Sequence, residues 1–130
     1  MVGMNILEHS SVSSYEFLYP SKDQLNLLNR QELFTYLEKH KPDMIIHAAG
    51  TVGGIKANIK NPLRFFFENS QMGLNILSSS KELGIKRFLN FCSSCVYPRD
   101  AENPLTEEAI LKGELEPTNE GFALAKLTTL

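Results

Sequence analysis

Residues 43–54 read DMIIHAAGTVGG, and residues 88–98 read FLNFCSSCVYP. Each stretch begins as a short apolar run and passes directly into small residues. Apolar runs of this length, set between turn-forming residues, fit strands that are buried on both faces. Between them, from about Asn61 to Leu83, apolar residues fall at helical spacing. Leu63, Phe66, Phe67, Leu74 and Leu77 mark the stripe, and Gly84 is a helix stop. Strand, helix, strand in this order points to an α/β fold with a parallel sheet and helices on both faces.

Working outward, Arg30 to His40 has Leu33, Tyr36 and Leu37 at helical spacing, and Pro42-Asp43 ends it. Met1 to Ser10 reads as the tail of a short helix. Residues 15–19, YEFLY, are aromatic and alternating, which suits a strand. Gly50 to Gly54 is a flexible loop. Tyr97 to Thr118 carries Pro98, Pro104 and Pro117 and reads as a long loop, a length usually tied to function. A last helix, opened by Asn119, runs to the end. No repeat or low-complexity tract divides the 130 residues, so one domain is expected.

The composition is that of a globular protein, 42% hydrophobic and 22% charged. A net charge of -2 supplies no attraction to nucleic acid or to an anionic membrane surface. No apolar run is long enough to span a bilayer. Glu8 interrupts the first apolar stretch too early for a signal peptide, so a cytoplasmic location is expected. Cys92 and Cys95 form a single C-x-x-C. Zinc would ask for a second pair of ligands and a redox pair for a helix N-terminus, so no metal is expected.

Ligands of open parallel sheets bind beyond the carboxyl ends of the strands. HAAGTVGGI and SSCVYP stand at such ends, where Ala48, Ala49 and Gly50 either admit a flat cofactor or merely turn the chain. Phe122 and Lys126 are four residues apart and share one helix face. Their spacing is that of the Y-x-x-x-K pair of short-chain dehydrogenases. There the tyrosine gives a proton to a carbonyl oxygen, the lysine supports it, and a serine after an earlier strand polarises the same carbonyl.

HAAGTVGGIKAN (47–58), FCSSCVYP (91–98) and LEPTNEGFALAK (115–126) occur in an order and spacing that closely resemble GDP-L-fucose synthases of the extended short-chain dehydrogenase/reductase family. The resemblance implies a Rossmann-type, doubly wound parallel sheet and NADP as cofactor. It implies a GDP-4-keto-6-deoxy sugar as substrate and a homodimer. Residue by residue, Ser93 would polarise the carbonyl and Lys126 would bind cofactor. Cys95 would act as acid/base in C-3/C-5 epimerisation, with a histidine partner beyond Leu130. Gly3 would stand at the end of a glycine-rich phosphate loop, with Ala48 and Ala49 along the cofactor. The stretch from Lys22 to Leu27 would meet the adenosine end, where Lys22 either faces the 2′-phosphate or stays solvated. Thr118 and Asn119 either cap the last helix or reach the substrate.

Three departures from that pattern stand out. Phe122 occupies the position of the tyrosine and has no proton to give, a loss of roughly 10²–10⁴ in rate. The first strand and most of the phosphate loop are missing from the pattern, as are the later strands and the substrate domain. Residues 1–130 therefore read as a partial NADP-binding domain. The alternatives are a C-4 reductase of another GDP-4-keto sugar, such as a heptose, and an inactive relative. On the long helix, Phe66 and Phe67 fall on the apolar stripe. Phe65 is left facing outward or sideways, either as a single exposed aromatic or as part of a helix-on-helix contact with a second subunit.

Overall fold

A computed structural model describes residues 2–9, 11 and 13–130. Two strands lie side by side, β1 (Met44–His47) and β2 (Arg87–Asn90). They run parallel, in register from Met44 with Arg87 to His47 with Asn90. Parallel neighbours need a crossover rather than a tight turn. Here it consists of two helices, α3 (Ile55–Lys60) and α4 (Pro62–Glu82). The others are α1 (Val2–Leu7), α2 (Arg30–His40) and α5 (Glu120–Leu127). The chain is thus α/β with a parallel sheet, as its sequence predicts. Met1 and Ser10, the ends of the expected first segment, lie outside the described residues.

Local chemistry sets the bounds of α2. Asn29 Oδ1 accepts the Glu32 N–H at 3.2 Å, and Lys41 turns left-handed (φ 45°) to end the helix. The inner face, Leu33 and Leu37, packs with Leu25 and Ile76, and Ile45 and Phe88 of the strands lie against that cluster. Full burial of each such leucine contributes about 1.5–3 kcal/mol. Arg30 pairs with Glu82 across α2 and α4 at the surface, where an ion pair adds little.

Three expectations are corrected. The strands are covered on one face, not two: Met44, Ile46 and Leu89 are exposed, whereas Ile45, His47 and Phe88 face the helices. The period of two sends alternate residues to opposite faces. Residues 15–19 form no ladder, and Tyr15 and Tyr19 are exposed. Aromatic alternation makes a strand only against a neighbour that takes up its N–H and C=O groups.

The third correction concerns α4. Leu63, Phe67 and Leu74 of the expected stripe are exposed, while Phe65 is 5% exposed and lies against Gly53. The buried residues are Phe65, Asn69, Ser70, Met72, Gly73, Asn75, Ile76, Ser79 and Ser80, mostly small or polar. Small residues let α5 and the residues after it come close. A Cβ on Gly73 would stand 2.3 Å from Thr129 Cγ2, and one on Gly121 would stand 2.5 Å from the Pro62 carbonyl oxygen. Close backbone approach, not hydropathy, selects this face.

Candidate active site at the carboxyl ends of the strands

The helix α5 lays Lys126 across the end of β2. Its Nζ donates to the Phe91 carbonyl at 2.9 Å, one residue past the strand. Phe91 N–H in turn donates to the His47 carbonyl at 3.3 Å, which joins the ends of β1 and β2. Lys126 is 8% exposed. Burial lowers its pKa from the usual lysine range, and the nearby Cys92 opposes that shift. Among the described residues no carboxylate pairs with it. One turn back, the Phe122 ring centroid lies 5.7 Å from Nζ, within cation–π range.

After β2 the chain makes a short 3-10 turn, Ser94–Val96. Ser93 caps it, its Oγ accepting the Cys95 N–H at 3.3 Å. Cys95 is half-buried, and its sulfur accepts from Asn119 Nδ2 at 3.3 Å. Asn119 stands at the N-cap of α5, yet its side chain makes no cap hydrogen bond. The capping expected of Asn119 is therefore corrected: the amide is turned to the thiol instead. Thr118 donates from Oγ1 to Glu116 at 2.9 Å. Both cysteines are free thiols.

At the end of β1, Ala48 is half-buried and Ala49 exposed. A Cβ on Gly3 would lie 4.0 Å from that of Ala48, so α1 begins beside this strand end. The following loop is held by Asn69 of α4. Its Oδ1 accepts the Thr51 N–H at 2.8 Å, and its Nδ2 donates to the Thr51 carbonyl at 2.9 Å and to that of Phe65 at 2.7 Å. Thr51 Oγ1 donates to Glu68 at 2.5 Å. That bond, then the one from Arg64, holds the Glu68 carboxyl below its usual range, and Lys22 adds to the effect. Lys22 itself is exposed, and Leu27 is turned against the core, its carbonyl accepting from Asn75 at 2.8 Å.

The structure thus gathers Ser93, Cys95, Phe122 and Lys126 around the end of β2, and Gly3 and Ala48 at the end of β1. Two residues have surroundings that the sequence did not reveal. His47 ends β1 in a strand-like run that marks no chemistry, yet it is buried, with a pKa lowered to about 4 by burial and then by Lys126. Asn119 was read for its helix-cap position, which hides its contact with sulfur. Among the described residues no group of three or more His, Cys, Asp or Glu could hold a metal, and no helix is long and apolar enough to cross a membrane.

Parallel strands that end in small residues, a capped serine turn and a buried lysine form the arrangement of a Rossmann-type α/β protein. The chain belongs to the NAD dependent epimerase/dehydratase family, which it matches over residues 1–129. It is 56% identical over 129 residues to GDP-L-colitose synthase of Yersinia pseudotuberculosis, covering 99% of the chain and 42% of that relative. It is 42% identical over 130 residues to GDP-L-fucose synthase of Azorhizobium caulinodans, covering 100% of the chain and 42% of that relative. Among solved structures, GDP-mannoheptose C4 reductase from Campylobacter jejuni with NADP bound superposes with a TM-score of 0.81 at 28% identity. That match covers 86% of this chain and 35% of the other. The chain spans 42% of the length of these two relatives.

Proposed function

We propose that the protein is an NADP-dependent epimerase/reductase acting on a GDP-4-keto-6-deoxy sugar. The observation that carries this reading is the buried Lys126, clamped on the Phe91 carbonyl two residues before Ser93 and four before Cys95. A buried ammonium with no carboxylate partner has donors to give to a ribose or a carbonyl oxygen. The small residues Ala48, Ala49 and Gly50 at the end of β1 fit a cofactor lying against the backbone, with Gly3 near Ala48. The names of the similar proteins, two GDP-sugar synthases and an NADP-bound reductase, support the same reading.

When bound, NADPH supplies hydride to C-4 of the sugar. Ser93 Oγ donates to the C-4 carbonyl oxygen and polarises it, and Lys126 holds the cofactor ribose. The 4-keto group acidifies the C–H bonds at C-3 and C-5, and Cys95 exchanges protons there. Phe122 stands where a proton donor to the C-4 oxygen belongs. Its ring packs beside Lys126 but leaves the reduction without a general acid. The two free thiols suit a reducing, cytosolic setting.

A second reading, C-4 reduction of a different GDP-4-keto sugar without epimerisation, is favoured by the heptose reductase likeness. One experiment separates the two. The protein is given GDP-4-keto-6-deoxymannose and NADPH in deuterated water. Phe122→Tyr should raise NADPH oxidation by about a hundredfold or more, because it restores the acid. Cys95→Ser should abolish deuterium uptake at C-3 and C-5. An unchanged oxidation rate would sink the assignment of position 122, and uptake at neither carbon before mutation would favour the reductase.

A further inference from the structure

We infer that Asn119 is the positioning residue for the Cys95 thiol. The inference rests on the acid/base reading of Cys95 given above. Asn119 opens α5, the helix that also carries Phe122 and Lys126, while Cys95 sits in the turn after β2. The amide bridges the two elements, Nδ2 to Sγ at 3.3 Å. An asparagine at an N-cap ordinarily turns its oxygen to the first helical N–H groups. This one does not: its Oδ1 is buried and meets no partner among the described residues. The side chain's one hydrogen bond is therefore spent on sulfur.

That orientation has a chemical use. A thiol that gives up its proton gathers negative charge on sulfur, and a donated N–H stabilises that charged form. Cys95 also has its own backbone fixed, since its N–H is held by Ser93 Oγ. Ser93 and Asn119 thus grip the cysteine from both sides, one through the backbone and one through the sulfur. The grip fixes Sγ relative to the helix that presents Lys126. Asn119 touches no reacting atom in this scheme. It acts through Cys95, on the proton-exchange steps and not on hydride transfer.

The test reads the thiol directly. In the protein carrying Cys92→Ser, alkylation of Cys95 by iodoacetamide is timed at pH 7.5. The thiolate is the species that reacts. Asn119→Leu keeps the branched shape and removes the donor, and should slow alkylation by about fivefold. Asn119→Asp keeps a helix-capping side chain and places a like charge beside sulfur, and should slow it by about tenfold or more. A variant that failed to fold would expose Cys95 and react faster, the opposite direction. Alkylation of both variants at the parental rate overturns the inference, even if Cys95→Ser still abolishes deuterium uptake at C-3 and C-5. In the same variants that uptake should fall while the NADPH dissociation constant stays unchanged. Normal uptake in Cys95→Ser would instead overturn the reading of Cys95, and with it the role given to Asn119.

Discussion

At the scale of single residues, the largest physical effect not tied to the proposed chemistry lies at His47. Its imidazole is buried at the end of β1 with the Lys126 ammonium near it, and its pKa falls from 6.5 to about 4. The folded protein therefore refuses a proton that the unfolded chain accepts. Stability is complete above about pH 6.5 and is lost as pH falls towards 4, by about 3 kcal/mol in all. Urea denaturation at pH 7.5, 5.5 and 4.5 should show this decline, and His47→Gln should flatten it. An equal decline in the variant would assign the effect to other groups. The site was unevenly legible at this scale. Ser93, Cys95, Phe122 and Lys126 could be picked out because they fall at positions of a family pattern that short stretches of sequence carry intact. The burial of His47 and the contact of Asn119 with Cys95 could not, because burial and a contact across 24 positions of sequence are set by the fold.

At the scale of elements, the bounds of α2 were readable because they are local: Asn29, Leu33, Leu37 and Lys41 decide them within a few residues of chain. The faces of α4 were not readable, because a partner helix decides them. Gly73 is buried by the close approach of Thr129 and Ser70 lies against Thr128, while Leu63 and Phe67 are left outside. YEFLY failed for a related reason, since a strand is a property of two segments. The fit of α4 to the segment after α5 can be tested at Gly73. Alanine favours a helix over glycine by about 1 kcal/mol, yet Gly73→Ala should destabilise the protein by about 1–3 kcal/mol through overpacking against Thr129. Thr129 cannot simply turn aside, because Asn90 Nδ2 donates to its Oγ1 at 3.1 Å and to its carbonyl at 2.9 Å. Adding Thr129→Ser removes the offending methyl and keeps the hydroxyl, so the double variant should recover most of the loss in thermal denaturation. No recovery would place the strain elsewhere.

At the scale of the whole molecule, Leu63, Phe67 and Leu74 form an exposed apolar strip along α4, with Phe67 62% exposed. The homodimer that the resemblance implies would meet this strip and not Phe65, which is buried beneath it against Gly53. Phe67→Glu should then convert dimer to monomer in sedimentation at unchanged thermal stability of the protomer, whereas Phe65→Glu should unfold the protein. A Phe67→Glu protein that remains dimeric would put the subunit contact on another face. The same helix carries, on its inner side, the carboxamide of Asn69, on which three hydrogen bonds to two carbonyls and one amide converge. Glu68, one residue earlier on the same helix, accepts from Thr51 Oγ1 as well, so two neighbouring side chains hold the one loop residue. The backbone past β1 is thereby moored to α4, and the small residues at the strand end inherit the stiffness of a 21-residue helix.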